Sequence, residues 1–300
     1  HLWGIDLGGT KTEGVVIPTG APDQPLCRLR LPTEREKGYG HILGQTRRLL
    51  GQMEAQTGLQ APAVGIGTPG TLDPGTQRMK NCNTVVLNGQ PLHTDLENLL
   101  QRPVRLANDA NCFALAETRL GAVPRHAPGA RMVFGVIMGS VVGGGIVFDG
   151  KPWGGPHGIA GEWGHNFLDK SGGECYCGRT GCVETVISGK ALEHFYRQQT
   201  GTSLPLPQIL GRVRSDYAAA ATQQRLYKFF GKAIAPIINI LDPDAIILGG
   251  GVGNIPGLYT DGVRKARAYV FNPEIRTRFL APVLGDSAGV FGAAMLCKAE

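Results

Sequence analysis

Short apolar runs that end in clusters of glycine recur along this 300-residue chain and limit what it can fold into. Leu2 to Leu7 is apolar, Gly8-Gly9-Thr10 breaks the run, and Glu13 to Ile17 resumes it. Strand, glycine turn and strand make a hairpin. About 130 residues further on, Met132 to Met138 runs into Gly139-Ser140-Val141-Val142-Gly143-Gly144-Gly145 and returns as Ile146-Val147-Phe148. Two such units suggest two lobes of related design, each offering a glycine hairpin to a shared cleft. Coincidence in a glycine-rich chain explains the outline equally well. Glycine supplies 45 of the 300 residues without a Gly-X-Y period, so collagen is excluded. The excess points instead to turns where backbone approaches a ligand closely.

Between and after the hairpins, strand and helix patterns alternate. Ile42, Leu43, Leu49, Leu50 and Met53 recur at helical spacing up to Gly58. Ala63 to Gly67 and Val104 to Ala107 read as buried strands, and Asn108-Asp109 opens a helix through Leu120. Leu226, Phe229, Phe230, Ala233, Ile234, Ile237 and Ile238 form the apolar stripe of a core helix that Asp242-Pro243 stops. Ala245 to Leu248 is a strand ended by Gly249-Gly250-Gly251, and Ala288 to Lys298 reads as a closing helix capped by Asp286 or Ser287. The alternation predicts an α/β architecture. An apolar share of 42% against 18% charged residues is enough for a substantial core.

Composition also narrows the partners. A net charge of +6 favours anions, but no basic tract is interleaved with aromatics, so no nucleic-acid partner is expected. No apolar run reaches the ~18 residues of a membrane span, so none is expected there either. The first residues lack the charged leader and long apolar stretch of a signal peptide, and the missing initiator Met suggests slight trimming. Seven cysteines, three of them within eight residues, fit a cytoplasmic protein with one metal site better than a disulfide framework.

The chemistry-bearing segments follow from this frame. The phosphate loop G-x-x-x-x-G-K-[ST] is absent, and no G-x-G-x-x-G begins a helix after the first strand. Asp6-Leu7-Gly8-Gly9-Thr10-Lys11 offers turn amides, a hydroxyl and a cation to an anion, and Asp6 could hold Mg²⁺ through water. Taken alone, the segment reads first as an ordinary glycine hairpin. The metal cluster is more specific: His165, then Cys175, Cys177 and Cys182 in a C-x-C-x₄-C spacing. Three thiolates and one imidazole fill a tetrahedral Zn²⁺ shell and leave no position for water, so the zinc is expected to be structural. Glu162 and Glu184 flank that knuckle, an arrangement suited to a polyhydroxy ligand. Asn108-Asp109 sits where a strand ends and a helix begins. There Asp109 is either the helix N-cap or a general base for an attacking hydroxyl.

Taken in order, these pieces resemble the ROK family (repressor, open reading frame, kinase) of sugar kinases. The matching segments are Ile5–Lys11, Gly65–Gly70, Asn108–Cys112, Gly161–His165, Cys175–Glu184, Asp242–Gly251 and Gly285–Gly289. Within the family the likeness is nearest to bacterial fructokinases that also act on mannose, on segments that include Leu87-Asn88-Gly89-Gln90-Pro91. N-acetylglucosamine kinases share much of it, and an N-acetylglucosamine or glucose kinase of the family is the alternative. The resemblance implies an ATP-dependent hexose kinase with an α/β, two-lobed, actin-like and ribonuclease H-like fold carrying a structural zinc knuckle. Its small lobe would be residues 1–120 with a helix at about 288–300, and its large lobe 121–287. ATP phosphates would meet Gly8, Gly9, Thr10 and Lys11 and the turn with Gly139, Ser140 and Gly143, with Asp6 nearby. Gly249, Gly250 and Gly251 would lie near the nucleoside. The sugar would be held by Asn83, Asn108, Asp109, Glu162, His165 and Glu184, with Asp109 as base, Mg²⁺ on the phosphates, and a homodimer as the family's common assembly. The family's repressors carry a helix-turn-helix ahead of the kinase-like body, and a first strand at residue 2 leaves no room for one. One departure stands out: Gly139-Ser140-Val141 replaces the family's Gly-Thr-Gly. Valine is unfavourable if the turn needs φ > 0, so either the turn relaxes differently or nucleotide affinity is reduced, the second outcome leaving a sugar-binding protein with impaired catalysis.

Overall fold

The computed structural model describes residues 1–298 and divides into two compact units. The first comprises His1–Arg125, Gly145–Ala160 and the segment from Val283 onward; the second comprises His126–Gly144 and Gly161–Pro282.

The first unit is built on a five-stranded sheet of order β3-β2-β1-β4-β7. Its strands are β1 (Leu2–Leu7), β2 (Lys11–Ile17), β3 (Cys27–Pro32), β4 (Val64–Thr68) and β7 (Val104–Asn108), with β5 (Thr71–Leu72) and β6 (Met79–Lys80) forming a small separate ribbon. β1 to β3 form an antiparallel meander, and β4 and β7 are parallel to β1. Trp3, Ile5 and Leu7 on one face and Leu2 and Gly4 on the other are buried, as expected of a central strand covered on both faces.

Helices α1 (Tyr39–Thr57), α2 (Leu92–Leu100), α3 (Asp109–Arg119) and α4 (Ala122–His126) follow in chain order. α1 turns Ile42, Leu49, Leu50 and Met53 inward over β2 and β3, and Gly58 ends it in the left-handed conformation at φ 66°. The closing helix covers β1 and β4 from the Ala288–Met295 segment. It does so at backbone contact: a Cβ on Gly65 would lie 1.8 Å from the Ala293 carbonyl oxygen. Glycine is required there because two main chains touch.

The second sheet has the order β10-β9-β8-β11-β12, the same succession of connections as the first. Its strands are β8 (Met132–Met138), β9 (Val142–Phe148), β10 (Lys151–Pro152), β11 (Ala245–Gly249) and β12 (Arg278–Leu280), and β11 is parallel to both β8 and β12. The boundary between the units falls within β9. The repeated strand order favours related design over coincidence for the two glycine hairpins.

The second unit's helices are α5 (Val183–Ile187), α6 (Gly189–Thr200), α7 (Leu206–Leu210), α8 (Tyr217–Leu241), α9 (Gly250–Gly253) and α10 (Val263–Ala266). α8 carries the predicted stripe and stops at Asp242, whose φ of 43° closes the helix in the left-handed region. The closing helix, α11 (Ala288–Met295), belongs to the first unit and is shorter than the periodicity suggests; residues 299–300 lie outside the described residues. Neither expected cap closes it. Ser287 Oγ is instead 3.3 Å from Glu13 Oε1 and accepts from Arg28. Among the described residues no helix is long and apolar enough to cross a membrane.

Candidate active site

In the first unit, β1 and β7 flank β4 and run parallel to it, which delivers Asp6 and Asp109 to one end of the sheet. Asn108, not Asp109, is the N-cap of α3: its Oδ1 accepts from the Asn111 amide at 2.8 Å. The capping explanation for Asp109 therefore falls away, and its carboxylate stands on the first helical residue with Oδ1 accepting from Ala110 N at 2.8 Å. Gly145 admits β9 against this helix start, since a Cβ there would be 2.4 Å from the Ala110 carbonyl oxygen. The Asn111 side chain accepts from Ile146 N at 3.2 Å, which fixes the same turn.

Both carboxyls have raised pKa values. Asp6 is pushed up to about 7, first by burial and then by the charges of Asp109 and Glu13, with Lys11 opposing. Asp109 is raised by desolvation, against hydrogen bonds from backbone amides. Its surface remains accessible to solvent, as befits a group surrounded by protein without being covered. Two neighbouring anions fit a hard cation that prefers oxygen ligands, so Asp6 could hold Mg²⁺.

The raised Asp6 carboxyl makes a stability prediction. Its contribution is fully present below the unfolded value near 3.8 and is lost as pH rises through about 7. Asp6→Asn in Mg²⁺-free buffer is therefore expected to raise thermal stability more at pH 8 than at pH 5, by at most about 3 kcal/mol. Melting curves at the two pH values check this, and an equal effect at both would contradict it.

Gly8 must be glycine, since a Cβ would be 2.6 Å from the Lys11 carbonyl oxygen. Thr33 fastens the turn by donating to Gly8 O at 2.7 Å, while Thr10 and Lys11 remain exposed. Behind it, buried Glu13 binds Arg28 and Arg30 at 2.5 and 3.0 Å. Burial pushes this carboxyl up, but the two guanidinium hydrogen bonds win and hold it below the usual range. Asn83 lies exposed on the loop after β6, with its amide on Pro69 O at 3.0 Å.

In the second unit the knuckle closes as predicted. The side-chain donor atoms of His165, Cys175, Cys177 and Cys182 all lie within 4.8 Å of one another. Cys175 Sγ is 3.6 Å from His165 Nδ1, and Cys177 Sγ is 3.6 Å from Cys182 Sγ. Bonds of about 2.3 Å to sulfur and 2.0–2.1 Å to nitrogen at tetrahedral angles need edges of roughly 3.5–3.8 Å; the Cys175–His165 and Cys177–Cys182 distances match these edges, and the four donors could hold a zinc ion. His165 Nε2 lies 2.9 Å from the Tyr176 hydroxyl, a partner that orients the ring and that the spacing of ligands alone did not reveal. Glu184 is buried, and its Oε2 accepts from Val142 N at 2.9 Å, tying the knuckle to the second glycine turn. Glu162 lies partly exposed just before it, in the segment whose Trp163 Nε1 donates to Gly143 O at 2.8 Å.

That second turn is unstrained. Positive φ occurs at six described non-glycine residues, and Val141 is not among them. Gly139 N donates to Val141 O at 2.9 Å, and the valine side chain is exposed. The expected conflict between valine and the turn geometry does not arise. Gly139, Ser140 and Gly251 line one cavity of about 460 Å³ with Lys190, Leu206, Leu210 and Ile255. Gly143, Gly249 and Gly250 do not line it. Gly143 anchors Trp163, while Gly250 lies against β8, where a Cβ would be 2.3 Å from Met138 O. The apolar wall from α7 carries no sequence signal, because Leu206 and Leu210 look like any buried helical pair.

Two α/β units built on the same strand order, one carrying a carboxylate pair beside a glycine turn and the other a Cys₃His knuckle, define a narrow class of proteins. Residues 2–300 match the ROK family, and the chain belongs to it. It is 34% identical to the N-acetyl-D-glucosamine kinase of Yersinia pseudotuberculosis (strain IP 31758), over 99% of each chain. It superposes on the ROK hexokinase of Thermus thermophilus with a TM-score of 0.86 at 31% identity, covering 98% of this chain and 97% of that one. A ROK glucokinase from Streptomyces griseus, in complex with glucose and AMPPNP, gives a TM-score of 0.76 at 27% identity over 98% of each chain. These relatives do not support the fructokinase expectation. Its motif at Leu87–Pro91 builds a loop: Asn88 Oδ1 accepts from Cys82 N at 2.9 Å and its Nδ2 donates to Cys82 O at 3.2 Å.

Proposed function

We propose that this protein is an ATP-dependent sugar kinase that phosphorylates the terminal hydroxymethyl group of N-acetylglucosamine. The observation that carries the sugar is the 34% identity to an N-acetyl-D-glucosamine kinase along both whole chains. The repeated strand order supports an actin-like, ribonuclease H-like fold, and the donor set at the knuckle supports a structural zinc. The cavity beside Gly139, Ser140 and Gly251 takes the nucleoside, and the amides of the Gly8–Lys11 turn take phosphate oxygens. Asn83 and Asn108 in the first unit and Glu162 and Glu184 in the second are the side chains we assign to sugar hydroxyls, whereas His165 has both ring nitrogens committed, Nδ1 beside Cys175 and Nε2 to Tyr176. Asn108 has Nδ2 to give, since its Oδ1 caps α3, and Glu184 has Oε1, since Oε2 is committed to Val142.

Asp109 accepts the proton of the sugar hydroxyl as its oxygen bonds to the γ-phosphorus. The bond from that phosphorus to the β–γ bridging oxygen breaks, and ADP leaves with the electron pair. Mg²⁺ near Asp6 supplies neutralisation of phosphate charge when bound. A coupled ADP-release assay with N-acetylglucosamine, glucose, mannose and fructose tests the reading. N-acetylglucosamine is expected to exceed fructose in kcat/KM by at least about tenfold, because a site built for a polar substituent leaves groups unpaired when it is missing. Fructose as the preferred sugar would overturn the assignment.

A further inference from the structure

The Gly8-Gly9-Thr10 turn has two polar neighbours that the mechanism above does not use. Gly9 brings the turn close to both groups: a Cβ placed on it would lie 3.3 Å from Arg35 Nη1 and 3.4 Å from Thr84 Oγ1. Thr84 is 1% exposed, and its hydroxyl has no hydrogen-bond partner. A buried hydroxyl without a partner is unfavourable, and an oxygen arriving beside it would satisfy it. Arg35 is exposed, and among the described residues no carboxylate or carbonyl engages its guanidinium; neighbouring Glu34 is held by Lys37 and His41. Most of the other cations around this turn are already committed, since Arg28, Arg30 and Lys11 all face Glu13. Position is set by the chain: Thr33 N donates to Thr10 O at 3.0 Å, which brings the start of the Arg35–Lys37 turn alongside the glycine hairpin.

We propose that Arg35 and Thr84 bind the γ-phosphoryl group as it transfers, making Arg35 a catalytic residue. This rests on the kinase reading. As the sugar oxygen bonds to phosphorus and ADP departs, negative charge spreads over the equatorial phosphoryl oxygens. A guanidinium presents two parallel N–H donors to such oxygens, and the Thr84 hydroxyl donates a third hydrogen bond. Glycine at position 9 keeps a side chain out of the space next to Arg35 and Thr84, so the exposed guanidinium can swing to a phosphoryl group held by the turn amides.

The test is steady-state kinetics on the full-length Arg35→Ala, Arg35→Lys and Thr84→Val variants, with melting curves as a control for folding. Arg35→Ala is expected to lower kcat by about 10²–10³-fold with the sugar KM changed less than about threefold, as for loss of a donor used in the transition state. Arg35→Lys should recover only a minor part, because a point charge does not reproduce the fork. Added guanidinium ion at non-denaturing concentration should restore turnover to Arg35→Ala and not to wild type. Thr84→Val should lower kcat by about tenfold. A kcat for Arg35→Ala within threefold of wild type, or a change confined to sugar KM, overturns the role of Arg35. Absence of ADP release by the wild-type protein with any hexose would overturn the kinase reading itself, which is a separate outcome.

Discussion

Replacing Asp109 with asparagine is expected to lower kcat by about 10²–10⁴-fold while leaving the melting temperature equal to or above that of the wild type. The substitution keeps the shape and the acceptor for Ala110 N but removes the proton acceptor. The cap of α3 is untouched, because Asn108 supplies it. A residue whose task was structural would show the opposite pattern, with stability lost and turnover retained in the folded fraction. Because desolvation raises the Asp109 pKa, the wild-type rate should also fall on the acid side as the base becomes protonated. The ADP-release assay across pH, run beside thermal melting, reads all of this. A variant kcat within threefold of wild type would remove Asp109 from the role of base.

The second large effect concerns the knuckle. Cys182 is fully buried, and Gly181 just before it packs on the Asp169 backbone, where a Cβ would be 2.4 Å from the carbonyl oxygen. Purified protein is expected to carry one zinc per chain, and Cys182→Ser to lose it. A missing ligand releases the strand bridge between Phe167 and Cys182 and frees Glu184, two residues on, from its position against Val142 N. Loss of a structural zinc is worth several kcal/mol, so the melting temperature should drop by about 10 °C for a chain of this size. Sugar KM should rise more than ATP KM. Metal analysis and calorimetry check these points, and wild-type protein without zinc, or a Cys182→Ser variant with unchanged melting, would contradict the assignment.

Features carried by local spacing were legible in the sequence. The strand–glycine–strand pattern located both hairpins, and the C-x-C-x₄-C run with His165 located the knuckle, because each is formed by residues close in the chain. Features that depend on where separate elements meet were not legible. Nothing in Asn108-Asp109 says which side chain turns back to cap α3; the Asn111 amide decides it. The glycines at 249 and 250 look like nucleotide contacts, yet Gly250 answers to the close approach of β8. Leu206 and Leu210 reach the cavity beside Gly139 and Ser140 from a short helix whose sequence says only that it is apolar on one side. The sugar was the hardest feature to read. Leu87–Pro91 pointed to fructose, but its Asn88 side chain is spent on tying the loop to Cys82, a structural task that says nothing of the sugar.

A competition experiment tests the central claim most directly. N-acetylglucosamine and fructose at equal concentration, with limiting ATP and Mg²⁺, are followed by ³¹P and ¹³C NMR until the ATP is consumed. The account predicts that a sugar phosphomonoester appears in equal amount to ADP, mostly on the terminal carbon of N-acetylglucosamine. Inorganic phosphate as the only product, or fructose phosphate as the main one, would contradict it.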